Sequence, residues 1–458
     1  MTPLLKVYRM QYGIGQGGFH AQQIRLTDLP PGVTVEPYRF VYDCGSDTGP
    51  LKPKQAKPLH WAIEHFAEKD DPASKNKITV NSLYLSHFQK DHIDGAQRLA
   101  ELVNLKEIVI PHLARNRLAH LLAQQIASGQ LTELTTTTRD YLDFLDRAAG
   151  NGPLLGDIPT TRVTPDGEPA GGDDLNADRD QSSISNLPQG SYTLDHSQGT
   201  GTIQTHARSR LLHAIHQKGH GQGSTDLWEL RVWSYAQDQQ LTDAVVDALK
   251  QLTDNKGNPA LPNTVEGKVD LNELAWAIEN RTKVQEAYQK ALTEKDVRYA
   301  SDHNVVSLCL HSGPINGTAI KDTALYRNKP WRNELQLIDL LIGSPPVSSW
   351  LGTGDALLKS DEVWSNFHSH FTQGGIDRTQ QWRTVVMPHH GSGSGGNFNA
   401  KLLAGPVCYA VFSAGAYNKY RHPAKSVLEA VADEGLASVM VTEHMRPGFF
   451  EHLAYSIR

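Results

Sequence analysis

An α/β fold is predicted for this chain of 458 residues, and three observations predict it. Short apolar runs with strand character alternate with stretches of helical spacing towards both ends of the chain. Turns containing Gly and Pro, of which there are 38 and 24, separate those runs. The composition, 39% hydrophobic and 21% charged, is that of a globular protein long enough to bury a sizeable core, which excludes disordered, collagenous and coiled-coil classes.

From residue 4 to about 45 the pattern suggests an antiparallel meander. It runs through Leu4-Leu-Lys-Val-Tyr-Arg-Met, Gly15-Gln-Gly-Gly, the alternating Ala21-Gln-Gln-Ile-Arg-Leu and Arg39-Phe-Val-Tyr-Asp-Cys-Gly. Residues 59–69 have helical spacing, Val80-Asn-Ser-Leu-Tyr-Leu-Ser reads as a short buried strand, Ile93 to Val103 as a helix, and Lys106-Glu-Ile-Val-Ile-Pro as a further strand. Leu and Ala at three- and four-residue spacing predict two helices over 114–147.

Between about 150 and 224 the composition shifts to Gly, Asp, Ser, Gln and Thr, and loops are expected. A strand follows at Leu227-Trp-Glu-Leu-Arg-Val-Trp, with Trp228 and Trp233 on opposite faces, then helices near 239–253 and 270–293. Apolar strands are expected at Asn304-Val-Val-Ser-Leu-Cys-Leu, Leu335-Gln-Leu-Ile-Asp-Leu-Leu-Ile, Thr384-Val-Val-Met and Val407-Cys-Tyr-Ala-Val-Phe. The organisation predicted is one half of a core at 1–148, an insertion at 149–300 that is loop-rich over 150–224 and then helical, and the other half at 301–458.

Lys and Arg total 44 against 50 Asp and Glu, a formal charge of −6. Nothing global attracts nucleic acid or an anionic membrane, so any basic groove is local. Cys44, Cys309 and Cys408 are far apart and form no Cys-x-x-Cys pair, which argues against a zinc ribbon or dithiol motif and fits reduced cytosolic thiols. The apolar stretch at the N-terminus is too short for a secretion signal, and no run of about 18 apolar residues occurs. A soluble cytoplasmic protein is the expectation.

The strongest chemical signal is Ser86-His87-Phe88-Gln89-Lys90-Asp91-His92-Ile93-Asp94-Gly95, which follows an apolar strand and opens a helix. Zinc takes nitrogen and oxygen ligands, and a turn at a strand end aims residues two to five apart at one point.

This segment resembles the Thr-His-x-His-x-Asp-His motif of the metallo-β-lactamase superfamily with one ligand changed. Trp350-Leu-Gly-Thr-Gly-Asp355 resembles its strand-end Thr-Gly-Asp, Met387-Pro-His-His-Gly-Ser392 its late metal-binding histidine, and Phe40-Val-Tyr-Asp43-Cys-Gly its upstream strand, all in the family's order. The resemblance implies a four-layer αββα sandwich interrupted by a long insertion. It implies metal ligands at His87, Gln89, Asp91, His92 and His390, with Asp355 bridging, and Asp43 orienting the metal loop through hydrogen bonds. Within the superfamily, Gly15-Gln-Gly-Gly, Asn304-Val-Val-Ser-Leu, His389-His-Gly-Ser and Ser413-Ala-Gly-Ala-Tyr-Asn-Lys-Tyr-Arg-His-Pro are similar to landmarks of the ComEC-like metallo-β-lactamase domain and its soluble relatives. The similarity spans about 4–112 and 303–425.

Gln89 stands where the motif has its second histidine, and an amide oxygen is a weaker zinc ligand than an imidazole. His112, His196 and His303 are candidates for a further family histidine with no clear counterpart here. Zinc is implied, with manganese as the alternative, as one or two ions; such a metal lowers the pKa of bound water and polarises a phosphoryl or carbonyl oxygen. Asp91 or Asp355 would orient that water. His389, Ser392, Asn418 and Arg421 are expected to bind substrate. His422 is expected to contact phosphate or protonate a leaving oxygen, and reads equally as part of a turn before Pro423. Gly391-Ser-Gly-Ser-Gly-Gly-Asn offers backbone N–H groups to a phosphate or is a surface loop. His206, His213, His216 and His220 invite a metal reading, since 213 and 216 would share a helical face. The adjacent Arg208, Arg210 and Lys218 favour a solvated basic segment, or one that contacts a nucleic-acid backbone.

The function implied is a metal-dependent phosphodiesterase or nuclease acting on nucleic acid or a nucleotide, with no membrane involved. By analogy, it would belong to a bacterial system such as defence against foreign DNA. The alternative is a degenerate scaffold that recruits a protein partner through the 150–300 insertion.

Overall fold

The computed structural model describes residues 4–29, 31, 34–51, 56–68, 76–150, 152–165, 192–196, 209–218, 221–236, 239–253, 269–295, 306–315, 320–322, 348–393 and 396–457. The strand expected at 335–342, His303, His206, His220, Ser394, Gly395 and most of the polar run between 150 and 208 lie outside the described residues.

The N-terminal strands are β1 (Leu4–Tyr12), β2 (Gly17–Thr27), β3 (Tyr38–Ser46), β4 (Thr79–Val80), β5 (Ser82–Tyr84), β6 (Asn104–Leu105), β7 (Ile108–Pro111) and β8 (Thr160–Val163). Next come β9 (Tyr192–His196), β10 (Ser209–Lys218), β11 (Gly221–Ala236), β12 (Val306–Pro314) and β13 (Ile320–Asp322). The chain finishes with β14 (Ser349–Gly352), β15 (Trp382–Val386), β16 (Tyr409–Ser413), β17 (Ala437–Val441) and β18 (Gly448–Ile457). Helices α1 (Pro58–Ala67), α2 (Lys90–Ile93), α3 (Ala96–Leu102), α4 (Arg115–Ser128) and α5 (Thr136–Ala148) belong to the first part of the chain. Helices α6 (Gln239–Lys250), α7 (Leu271–Glu279), α8 (Arg281–Glu294), α9 (Asp361–Thr372) and α10 (Lys425–Asp433) follow. Among the described residues no helix is long and apolar enough to cross a membrane.

The described strands form two eight-stranded sheets, ordered β13-β18-β1-β2-β3-β5-β7-β8 and β17-β16-β15-β14-β12-β11-β10-β9, with β4 and β6 as a separate pair. The apolar alternation of β1 turns Leu5 and Val7 inward, where they meet Ile24, Phe40, Leu230, Leu308, Leu310, Trp350 and Leu453 in the layer between the sheets. On the outer side of the first sheet, Val41 and Leu83 pack with Leu59 and Ile63 of α1 and Leu99 of α3. Outside the second, Trp233, Trp382 and Val385 pack with Trp364 and Phe367 of α9 and Val427 and Val431 of α10. The architecture is therefore a four-layer αββα sandwich, and Trp228 and Trp233 do fall in different layers.

Strands β3, β5, β7 and β8 run parallel to one another, as do β14, β15, β16 and β17. Loops that leave the carboxyl ends of parallel strands are where α/β proteins place ligands. The loops after β3, β5, β14, β15 and β16 are the ones that carry the residues singled out above.

One difference from the sequence reading concerns the polar segment before residue 224. β9, β10 and the start of β11 lie within it and extend the second sheet, with β10 paired to β11 from Ser209↔Arg231 to Lys218↔Gly221. Backbone hydrogen bonds need no apolar alternation, so composition alone reads such strands as loop. His213 and His216 are accordingly on a strand, and the shared helical face does not exist.

Candidate metal centre

The site begins with Asp43, in the C-terminal half of β3 at φ +58, a left-handed conformation that Asp tolerates better than most side chains. Its Oδ1 accepts the Ser86 backbone N–H at 2.7 Å, and its Oδ2 accepts the Ser86 hydroxyl at 3.0 Å and His92 Nδ1 at 2.8 Å. With its one proton given to Asp43, the Ser86 hydroxyl accepts from His87 Nδ1 at 2.9 Å. Both imidazoles are thus held through Nδ1 and turn Nε2 towards the centre. His87 Nε2 and His92 Nε2 are buried and lack a hydrogen-bond partner.

Two glycines let the loops close on this point. Gly17, at φ +143, lies so near the metal loop that a Cβ would stand 2.6 Å from the Asp91 carbonyl oxygen. Gly354, at φ +51, precedes Asp355, and a Cβ there would meet the Ser86 Cβ at 2.5 Å.

Asp355 and His390 complete the cluster from β14 and β15. His87 Nε2 is 3.5 Å from Asp355 Oδ2, His92 Nε2 is 3.6 Å from Asp355 Oδ1 and 3.9 Å from Asp91 Oδ2, and His390 Nε2 is 3.3 Å from Asp91 Oδ2. Nitrogen and oxygen ligands on a tetrahedral zinc stand about 3.3 Å apart, given bonds of about 2.0–2.2 Å. The donors already hold nearly that spacing. Among the described residues, two groups bring their donors within 4.8 Å of one another: His87, Asp91 and His92, and His92, Asp355 and His390. A cavity of about 20 Å³, room for one water-sized particle, is bounded in part by Asp43, His92, Asp355 and His390. The residues present fit a divalent cation.

Electrostatics point the same way. Burial and the neighbouring His92 push His87 down to about 4, so its Nε2 keeps a lone pair at neutral pH. Burial also disfavours a charge on His92, but the carboxylates of Asp43, Asp91 and Asp355 outweigh it and raise His92 to about 10. Asp91 stays well below the usual carboxylate range despite burial, because His92 and His390 face it; His389, His87 and His92 do the same for Asp355. The carboxylates that keep a proton on His92 are those that would attract a metal ion in its place.

No protein-family model matches the sequence, and no curated protein matches it. Solved structures with a similar fold include two from yeast. Unliganded yeast PDE1 aligns at 8% identity over 100% of both chains with a TM-score of 0.33. A long form of RNase Z from yeast aligns at 6% identity over 84% of this chain and 32% of that chain, with a TM-score of 0.26. Both are too distant to carry an argument about the site.

The remaining residues singled out in the sequence divide into those facing the centre and those holding its loops. A groove of about 790 Å³ opens beside Asp91, with Gln89, His389 and His422 in its lining. His422 lies 5.3 Å from the His389 ring and stacks on Tyr420 at 5.9 Å. Arg421 is exposed. Ser392 is fully buried, and its backbone N–H donates to the His389 carbonyl. Asn418 spends its amide on the turn: Nδ2 donates to the Gly415 and His422 carbonyls, and Oδ1 accepts the His422 N–H. His112 is in neither of the two metal-capable groups, and nothing is described of the His196 side chain.

Several residues at the site escaped the sequence reading. Tyr141 of α5 donates its hydroxyl to the Phe88 carbonyl at 2.7 Å, pinning the metal loop, and reaches it only through packing. α5 is placed by Thr135, whose side chain caps its first turn, and α4 stops at Gly129 with φ +78. Asp47 lines the groove, and burial and the Asp91 carboxylate raise its carboxyl to about 6. Its position four residues after Asp43 was the available signal. Asn397 is fully buried and ties the loops after β14 and β15 together.

Proposed function

We propose that the protein is a metal-dependent hydrolase that cleaves phosphodiester bonds in nucleic acid or a nucleotide. The observation that carries the reading is the pair of buried, unpartnered nitrogens, His87 Nε2 and His92 Nε2, held at ligand spacing from Asp91 and Asp355 beside an open groove. Asp91, His92, Asp355 and His390 would hold the ion, with His87 and Gln89 next to them. A bound metal would supply a water of lowered pKa and a Lewis acid for the phosphoryl oxygen.

The chain's own residues do the rest. Asp91 or Asp355 orients the attacking water, whose proton passes to solvent through the open groove. His422 donates a proton to the leaving oxygen. Lys90 and Lys419 line the groove and meet phosphate charge. The groove is within the range of small-ligand pockets, which suits a nucleotide or a strand end better than a duplex. The ComEC-like His389-His-Gly-Ser and Asn418-x-Tyr-x-His-Pro segments favour phosphate over lactam or thiol-ester chemistry. The same reading carries zinc, with manganese second, as the metal, a cytoplasmic location and a bacterial multi-component system as the setting.

Incubation of purified protein with zinc or manganese and bis(p-nitrophenyl) phosphate, cyclic dinucleotides, DNA and RNA tests this. Hydrolysis of the model ester and at least one nucleotide substrate is expected. Survival of all of them would end the hydrolase reading in favour of a scaffold.

A further inference from the structure

The two metal-capable groups share His92, yet His92 Nδ1 is engaged by Asp43 and Nε2 has one lone pair, so one ion at most can use it. A second ion needs another nitrogen, and position 89 offers only an amide. The side chain that faces the gap is His389. Its Nε2 lies 3.7 Å from Asp355 Oδ2, the oxygen that His87 Nε2 faces at 3.5 Å, whereas Asp355 Oδ1 faces His92. Each oxygen of Asp355 thus has its own set of imidazoles.

The tautomer of His389 is set by its neighbour. Asn397 donates Nδ2 to the carbonyls of Asp355 and Ala356, which leaves Oδ1 as the acceptor 3.1 Å from His389 Nδ1. His389 therefore carries its proton on Nδ1 and presents a lone pair at Nε2, the same arrangement that Ser86 imposes on His87. The backbone is committed to this aim as well. His389 and His390 are consecutive residues at φ +48 and +55, a strained conformation for imidazole side chains, and the His389 N–H is tied to the Gly354 carbonyl at 2.9 Å. That turn sends His389 to Asp355 and His390 to Asp91.

We propose that His389 is a metal ligand which, with His87 and Asp355, replaces the imidazole missing at Gln89, so that the centre holds two ions. This rests on the metallohydrolase reading. It reassigns His389 from substrate to metal.

The test is zinc stoichiometry by elemental analysis, with affinities from competition against a chromophoric chelator, on the full chain. His389→Asn removes the imidazole while Asn tolerates the positive φ. Two equivalents are expected in the wild type, one in His389→Asn, and two again in Gln89→His/His389→Asn, where the motif imidazole is restored. The proposal is overturned if His389→Asn still binds two, if the wild type binds one or none, or if the double variant fails to regain the second. One equivalent with phosphodiester hydrolysis would sink this proposal and spare the hydrolase reading; two equivalents without hydrolysis would do the reverse.

Discussion

Two buried polar regions lie in this sandwich, and they are built from different partners. In the first, which involves both sheets, Glu229 of β11 is paired with Arg378 at 2.6 Å and Arg231 at 3.7 Å, and Glu451 of β18 with Arg9 of β1 and Arg383 of β15, both at 3.8 Å. At the carboxyl ends of the parallel strands, Asp91 and Asp355 instead face His87, His92, His389 and His390. An arginine keeps its charge at any ordinary pH, so the carboxylates of the first region are compensated by permanent charges. An imidazole gives up its proton to a metal, so under the proposed function the second region is the one that a cation would complete. Burial of charge does not mark function by itself; the identity of the counter-charge does.

The contrast breaks most readily at Asp355. Asp355→Ala is expected to lower kcat for bis(p-nitrophenyl) phosphate at least about 10³-fold, as for loss of a central catalytic group, and to lower bound metal. Glu229→Ala should leave metal content unchanged by elemental analysis. In the arginine region the effect falls on stability. Glu229→Ala leaves two buried guanidiniums without their carboxylate and should cost about 3–5 kcal/mol in urea unfolding, while Glu229→Met/Arg378→Met, which removes the closer of the two, recovers part of it. Equal losses in the single and double variants would contradict the idea that the pairing, rather than a functional charge, is what matters there.

A smaller effect is expected at Asp43. Asp43→Asn keeps an acceptor and tolerates φ +58 but loses the charge that orients His92, so metal affinity should fall about 10–100-fold by chelator competition. The smallest concerns His311, a buried histidine in the arginine region that accepts Trp382 Nε1–H at 3.0 Å on Nδ1. Burial pushes it down to about 3. Because its folded value is below its unfolded value of about 6.5, the unfolded state takes up the proton first, and stability falls as pH drops from about 6.5 towards 3. His311→Gln should make that acid limb shallower in denaturation series at pH 7, 5 and 4. An unchanged limb would mean that His311 charges in the folded protein at ordinary pH.

What was legible in the sequence was local. Asp43, His87, Asp91, His92, Asp355 and His390 each stand at or just beyond the end of an apolar run, so their strand-end placement could be read without knowing the topology. Periodicity alone indicates strands and helices in alternation; the four-layer arrangement is implied by the resemblance of the strand-end motifs. What could not be read depends on distant pairing or packing. β18 joins β1 with Tyr12 opposite Gly448, and no local pattern encodes that register. Tyr141 and Asn397 are ordinary residues in their own segments and matter only because α5 and the loop after β15 fold against the site. β9 and β10 lack apolar alternation, so their composition predicts loop while the backbone pairs as strand.

The most direct test of the central claim, that the imidazole–carboxylate region is incomplete without a cation, is elemental analysis of protein purified without chelator, beside the Asp91→Ala/His390→Ala variant. At least one equivalent of divalent metal in the wild type and none in the variant is the predicted result. No metal in the wild type, even after incubation with zinc and manganese, would contradict it.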